Sequence, residues 1–148
     1  MANFVSHLEG AIDGAHLAAG ELRTLHEGRP IWVRYDLDRV RECWSKEMLA
    51  SREPTLWRYR ELLPHDSEEE IVSLGEGMTP LLPCARLGAK FGLSDLLIKD
   101  ESQLPTGSFK SRGQALAITM AKKFGVTRVA IPTAGNAGGA MAAYAARA

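Results

Sequence analysis

Over Pro30–Asp36 apolar and polar residues alternate with a period of two, placing Ile31, Val33 and Tyr35 on one face and predicting a short strand. The period then becomes helical. Leu37, Val40, Trp44 and Met48 share a face, which predicts a helix to about Ser51 capped by Asp36 or Asp38. Glu53-Pro54-Thr55 predicts a second helical start, because proline is tolerated in a first turn; Leu56, Tyr59 and Leu63 follow at helical spacing and Pro64 stops the run. From residue 66 the rhythm changes. Asp66–Glu70 is an acidic run that predicts a solvated helix start, Ser73–Pro80 is rich in turn residues, and Leu81-Leu82 begins an extended piece. Asp95–Lys99 predicts a strand. The segment from about Ser108 to Phe124 predicts a helix with Phe109, Leu116, Met120 and Phe124 on one face and Ala117 and Ala121 beside it. Lys122 and Lys123 suit its last turn and Gly125 its C-terminal cap. Thr127–Ile131 predicts the next strand, and an alanine-rich helix runs from Asn136 to the end.

Two parts follow from this pattern, residues 1–65 and residues 66–148. The first holds all three tryptophans. It reads as an N-terminal extension packed on the main body, with a lid or dimer arm as the functional alternative. The second alternates strand, helix, strand, helix, which implies a parallel α/β unit with right-handed crossovers and a ligand site at the carboxyl ends of its strands. Two parallel strands cannot make a buried sheet alone, and the last helix carries neither a glycine cap nor a proline stop. An incomplete piece of a larger α/β enzyme is therefore expected. The alternative is a small domain that completes its sheet with Leu81-Leu82 and the N-terminal strand.

Composition narrows the function classes. The 148 residues include 18 Lys plus Arg against 18 Asp plus Glu, so no net charge draws the chain to nucleic acid or to an anionic membrane. Any anion site must be local. No apolar run approaches the ~20 residues of a membrane span, and the N-terminus lacks the basic start and apolar core of a signal peptide. Cys43 and Cys84 make neither a disulfide framework nor a zinc site. A cytoplasmic location is expected.

The candidate chemistry lies in two glycine-rich turns, each between a predicted strand and a predicted helix. The first is Pro105-Thr-Gly-Ser-Phe-Lys-Ser-Arg-Gly113. Lys110 stands at a helix start, where backbone N–H groups and the helix dipole favour an anion and disfavour an extra ammonium. Burial beside Phe109 would lower its pKa further and suit it to covalent catalysis. Gly107 lets the turn form, Ser108 can cap the helix or bind an anion, and Arg112 adds a fixed cationic fork. The run is not a nucleotide phosphate loop, since no glycine precedes its lysine at the required spacing. The plainer alternative is an ordinary first-turn lysine on a solvated face. The second turn is Pro132-Thr-Ala-Gly-Asn-Ala-Gly-Gly139. There Gly135, Gly138 and Gly139 let backbone approach a ligand, Asn136 can donate to a phenolate or carboxylate oxygen, and Thr133 adds a hydroxyl. The plainer alternative is a tight strand-to-helix turn with no ligand.

At these residues the sequence resembles a known family. Lys99–Gly113 resembles the lysine motif of the tryptophan-synthase-β-like, fold type II, pyridoxal-phosphate enzymes, and within that family it is most similar to the threonine synthases. Thr133–Arg147 resembles their asparagine turn and following helix, and Gly75–Leu81 the segment that precedes both. Trp32–Leu37 and Leu56–Pro64 resemble the N-terminal region of the longer members. The implied fold is the N-terminal part of a three-layer, parallel-sheet α/β domain, with a small N-terminal α+β extension. The implied cofactor is pyridoxal 5'-phosphate, bound to Lys110 as an aldimine; Lys110 would also transfer protons, Phe109 would pack beside the cofactor ring, and Asn136 would hydrogen-bond its phenolic oxygen. Thr133 and the amides from Ala134 through Gly135 and Asn136 to Ala137 would hold the substrate carboxylate, with Ser108, Lys99 and Arg112 as candidates for phosphate. The implied reaction converts O-phospho-L-homoserine and water to L-threonine and phosphate, a step of threonine biosynthesis, and relatives are often homodimers.

Two departures qualify the resemblance. Many relatives carry a cysteine-rich, zinc-ribbon-like N-terminal segment, but residues 9–29 contain no cysteine, so no metal is expected. The family's glycine-rich phosphate cup and its pyridine-nitrogen partner lie later in the chain than Ala148, so these residues alone are not expected to turn over substrate. Another fold type II enzyme, such as threonine dehydratase or cysteate synthase, and a non-catalytic anion-binding module are the competing readings. Ala137 stands where the dehydratases usually carry histidine, and Ser111 where cysteine synthases carry an acidic residue; both favour the threonine synthases.

Overall fold

The computed structural model describes residues 3–67 and 70–148. They divide into one unit of Met1–Ile71 with Thr119–Arg128 and a second of Val72–Ile118 with Val129–Ala148.

In the first unit the predicted strand forms as β3 (Ile31–Tyr35). It pairs antiparallel with β1 (Val5–Gly10), which pairs on its other edge with β2 (His16–Leu17). Val5–Gly10 offers only two large apolar residues, too few to mark a strand; its edges are fixed instead by polar pairing. The Arg34 fork donates to both oxygens of Glu9 at 2.9 and 2.6 Å, and the His7 and His16 rings stack with centroids 4.0 Å apart.

Asp36 caps α1 (Leu37–Cys43) by accepting from the Arg39 amide at 3.1 Å. The single helix expected to Ser51 breaks at Trp44, whose backbone is extended, and restarts as α2 (Lys46–Ala50) under a Ser45 cap. The Ser45 hydroxyl takes the Met48 amide at 3.1 Å, the local competition that makes serine a helix starter and not a helix interior residue. Thr55 opens the next element as expected, but Leu56–Leu62 winds as a 3-10 helix with a kink at Tyr59. Val40, Trp57 and Leu63 are buried here. So is Glu61, which accepts from both terminal nitrogens of Arg52 at 2.8 and 2.6 Å and from the Trp44 indole at 2.9 Å. Of the expected acidic helix start, Glu68 and Glu69 lie outside the described residues, while Asp66 and Ser67 are not helical.

In the second unit β4 (Leu81–Pro83) and β5 (Leu97–Lys99) pair antiparallel around α3 (Ala85–Phe91). The strand at 95–99 is shorter than predicted and pairs antiparallel with the extended piece at 81–83, while 127–131, its expected parallel neighbour, enters no ladder among the described residues. A strand is made by its partner's hydrogen bonds as much as by its own apolar pattern, and no described residue supplies one to Val129-Ala-Ile131. Leu81, Leu82, Leu97 and Ile98 of the small ladder are exposed.

The helix predicted from about Ser108 forms as α4 (Lys110–Lys123), and α5 (Asn136–Arg147) begins at the predicted asparagine. Gly125 ends α4 at φ +67°, with its amide on the Lys122 carbonyl at 2.9 Å and the Val126 amide on Ala121 at 2.9 Å. The buried stripe of α4 is Ser111, Ala115, Ile118 and Thr119, not the predicted face of Phe109, Leu116, Met120 and Phe124. These residues recur at i, i+4, i+7 and i+8, and three of the four are small or hydroxylated. A search for large apolar side chains passes over all but Ile118.

Candidate functional site

Both glycine-rich turns belong to the second unit and both lead into helices. In the first, the Gly107 amide closes a turn onto the Leu104 carbonyl at 2.7 Å, and Gly107 itself sits at φ +70°, where a side chain would be strained. Lys110 is the first residue of α4 and is half-buried. Its ammonium lies 4.3 Å from the centre of the Phe109 ring and has no carboxylate partner among the described residues. The expected burial beside Phe109 is not formed: that ring is 59 % exposed. Ser108, two residues before the lysine, does not cap the helix. Its hydroxyl is buried and makes no hydrogen bond, a condition that costs ~1–3 kcal/mol unless a ligand or water supplies the missing partner.

Lys99 and Arg112 are tied into the frame of the site. The Arg112 fork donates to both oxygens of Glu101 at 2.6 and 2.9 Å, and the Thr79 hydroxyl donates to the same carboxylate. Arg112, with Thr79 next, holds the Glu101 carboxyl at about 2, well below its usual value. The Lys99 ammonium donates to the Thr79 carbonyl at 2.9 Å.

In the second turn Thr133 does the capping. Gly135 stands at the N-cap with no side chain, and the Thr133 hydroxyl accepts instead from the Gly135 and Gly138 amides at 2.9 and 3.0 Å. The Asn136 and Ala137 amides, the other donors of this helix start, have no hydrogen-bond partner among the described residues, and Asn136 is exposed. A bare helix start with free amides suits an anion. Gly135 adopts φ +144°, available to glycine alone. A β-carbon on Gly138 would meet Thr133 Cγ2 at 2.6 Å. Rotating Thr133 away would relieve the clash but release both amides. Helix propensity favours alanine over glycine by ~1 kcal/mol, whereas losing the cap costs ~1–2 kcal/mol and overpacking ~1–3 kcal/mol. Gly138→Ala is therefore expected to destabilise the protein by up to ~2 kcal/mol and to weaken anion binding at this turn, read by urea denaturation and by phosphate titration.

Two residues at the centre of the unit escaped the sequence reading. Glu76 and Tyr144 are fully buried, and the Tyr144 hydroxyl donates to the Glu76 carboxylate at 2.6 Å. Burial first, and the carboxylate second, push the phenol above its ordinary value. A signal for each was present: a carboxylate fixed between two glycines, and a single phenol in a run of alanines.

This arrangement fits pyridoxal phosphate. It offers an amine free of any carboxylate, a buried hydroxyl lacking a partner two residues away, and an open helix start bearing a carboxamide. Residues 72–148 match the family model described as pyridoxal-phosphate dependent enzyme, and the chain belongs to that family, whose cofactor is pyridoxal phosphate. The chain is also similar to curated threonine synthases: 43 % identical over 115 residues to that of Methanocaldococcus jannaschii, covering 78 % of this chain and 28 % of the relative. The figures for Methanosarcina acetivorans are 43 % over 116 residues, again 78 % and 28 %, and for Halalkalibacterium halodurans 42 % over 93 residues, 63 % and 26 %. The chain thus spans little more than a quarter of the length of these relatives. No described helix is long and apolar enough to cross a membrane.

Proposed function

We propose that the protein is a threonine synthase, converting O-phospho-L-homoserine and water to L-threonine and phosphate, and that this chain carries the lysine side of the site. The observation that carries the reading is Lys110 at the start of α4, its ammonium unpaired and the orphaned Ser108 hydroxyl beside it in sequence. Similarity to threonine synthases over most of the chain supports the choice of substrate. Pyridoxal phosphate, when bound, supplies an electron sink that makes carbanions at successive substrate carbons accessible.

The residues of this chain divide the remaining work. The Lys110 amine carries the cofactor and moves protons at the substrate carbons. Asn136 would donate to the cofactor's phenolic oxygen, and Phe109 would pack beside its ring. The open amides of Asn136 and Ala137, near Thr133, Ala134 and Gly135, hold the substrate carboxylate. Ser108, whose hydroxyl lacks a partner, would donate it to a phosphate oxygen. Lys99 and Arg112 have their donors on Thr79 and Glu101, which favours a framing role for both over direct phosphate binding.

The test supplies the full-length protein, reconstituted with pyridoxal phosphate, with O-phospho-L-homoserine. Equal amounts of L-threonine and inorganic phosphate are expected, with solvent oxygen in the threonine hydroxyl when the reaction runs in labelled water. Release of ammonia with a 2-oxo acid from threonine, and no phosphate-dependent product, would overturn the reading in favour of a dehydratase.

A further inference from the structure

Lys110 has no carboxylate partner among the described residues, so its place is set by what holds the chain on either side of it. Two contacts frame it, one nested inside the other. The inner one joins Thr106 to Ser111: their hydroxyl oxygens lie 2.6 Å apart, and the Thr106 amide donates to Ser111 Oγ at 3.3 Å. The outer one joins Glu101 to Arg112, which lies two residues past the lysine in the first turn of α4. The guanidinium donates from Nε to Oε2 at 2.6 Å and from Nη2 to Oε1 at 2.9 Å. Glu101 is itself fixed. It opens a single 3-10 turn, Glu101–Gln103, under Asp100, which accepts from the Ser102 amide and hydroxyl at 3.0 and 2.6 Å. The hydroxyl of buried Thr79 donates to Oε1, and the Thr79 carbonyl accepts from the Lys99 ammonium at 2.9 Å. The carboxylate is thereby anchored to the chain before β4 and to the end of β5.

We propose that Glu101 is a positioning residue that fixes the first turn of α4, and with it the amine of Lys110, by holding the Arg112 fork. The proposal rests on the reading of Lys110 as the cofactor lysine. A bidentate fork sets orientation as well as distance, and both side chains of this one are about three-quarters shielded from solvent. The pair closes a segment across a separation of 11 residues. Gly107, at φ +70°, lies inside that segment, and a glycine-bearing turn left open samples many placements of the lysine that follows it. The geometry also says which feature of Glu101 matters. The fork uses both oxygens. A glutamine presents an NH2 group to one arm in place of an acceptor, so it keeps at most one of the two bonds. Small displacements of a reacting group cost large factors in rate. The loss therefore falls on kcat, while KM, set in this reading by the asparagine turn, stays near the parent value.

The test uses the full-length protein with pyridoxal phosphate and O-phospho-L-homoserine. It compares Glu101→Gln, Arg112→Ala and the double variant at a temperature where circular dichroism shows each one folded. Relative to the parent, kcat is expected to fall about tenfold in Glu101→Gln, with KM within about threefold. Because Glu101 acts through Arg112, the double variant is expected to lie within about twofold of Arg112→Ala alone. Amide exchange over residues 104–113 is expected to quicken in all three. A residue that only stabilises the fold would lower the midpoint of thermal unfolding and leave kcat of the folded protein unchanged. Three results would each overturn the proposal: a Glu101→Gln kcat within about twofold of the parent, losses that multiply in the double variant, or unchanged exchange over 104–113. A parent that traps no pyridoxal phosphate on Lys110 under borohydride, or turns over no O-phospho-L-homoserine, counts against the proposed function alone, and the exchange pattern then decides the positioning role.

Discussion

Replacing Lys110 with alanine in the full-length protein is expected, under the proposed function, to abolish the covalent capture of pyridoxal phosphate and to lower turnover on the order of 10³-fold or more. Lys99 and Lys123 do not substitute, because their surroundings differ. The Lys99 ammonium is spent on the Thr79 carbonyl and Lys123 is paired with Asp66 at 2.6 Å, while Lys110 faces the Phe109 ring. Lys110→Arg separates two explanations of a loss. A guanidinium keeps the cationic contact with the ring but cannot bond the cofactor carbonyl as a lysine amine does. Both variants are therefore expected to lose the cofactor–lysine absorbance band and the borohydride-stable label, with the arginine form retaining the parent's thermal stability. A non-catalytic anion-binding module makes the opposite prediction: ligand binding would survive Lys110→Ala largely intact. A label that persists at full stoichiometry on some other lysine would refute the assignment of Lys110.

How far the site was legible in the sequence follows from the kind of interaction each part uses. Lys110 and Asn136 announce themselves because their turns need glycine at fixed places, and the structure puts Gly107 at φ +70° and Gly135 at φ +144°. Two helix starts were legible for the same local reason: Asp36 and Thr55 each accept an amide within three residues, whereas the Ser45 start inside the expected single helix was not read. What escaped is carried by long-range pairing. Val5–Gly10 is a strand because Ile31–Tyr35 lies alongside it, and the Tyr144–Glu76 hydrogen bond joins residues 68 apart. The expected parallel pairing does not form among the described residues on the same ground, since the apolar run at Val129–Ile131 signals a capacity to pair that no described segment meets. Arg112 and Lys99 looked like anion anchors because isolated cations invite anions. Their occupancy by Glu101 and the Thr79 carbonyl depends on loops 11 and 20 residues away.

Breaking the Arg52–Glu61 pair is expected to produce the largest loss of stability in the first unit. Both side chains are nearly dry, 13 % and 11 % exposed, and the carboxylate also holds the Trp44 indole at the point where α1 gives way to α2. Arg52→Ala leaves a buried carboxylate with the indole and the more distant Arg60, whose Nε lies 3.9 Å away, and such a break costs ~3–5 kcal/mol. The acid limb of stability reports the same contact. The Arg52 hydrogen bonds, with Trp44 next, outweigh desolvation and depress the Glu61 carboxyl from its ordinary value of 4.5 to about 2. A depressed carboxylate stabilises the fold fully above its unfolded value, and the contribution fades as the pH falls from 4.5 toward about 2. At 1.36 kcal/mol per pH unit this amounts to ~3 kcal/mol. Urea denaturation followed by the fluorescence of Trp44 and Trp57 measures it, since all three tryptophans lie in the first 65 residues. Glu101 contributes its own acid dependence through Arg112, so the difference between parent and variant isolates the Glu61 share. Arg52→Ala is expected to show ~3–5 kcal/mol less stability at pH 7 and a flatter decline from pH 4.5 to pH 2. A variant whose stability falls in parallel with the parent across that window would mean that the carboxylate is held down by something other than Arg52.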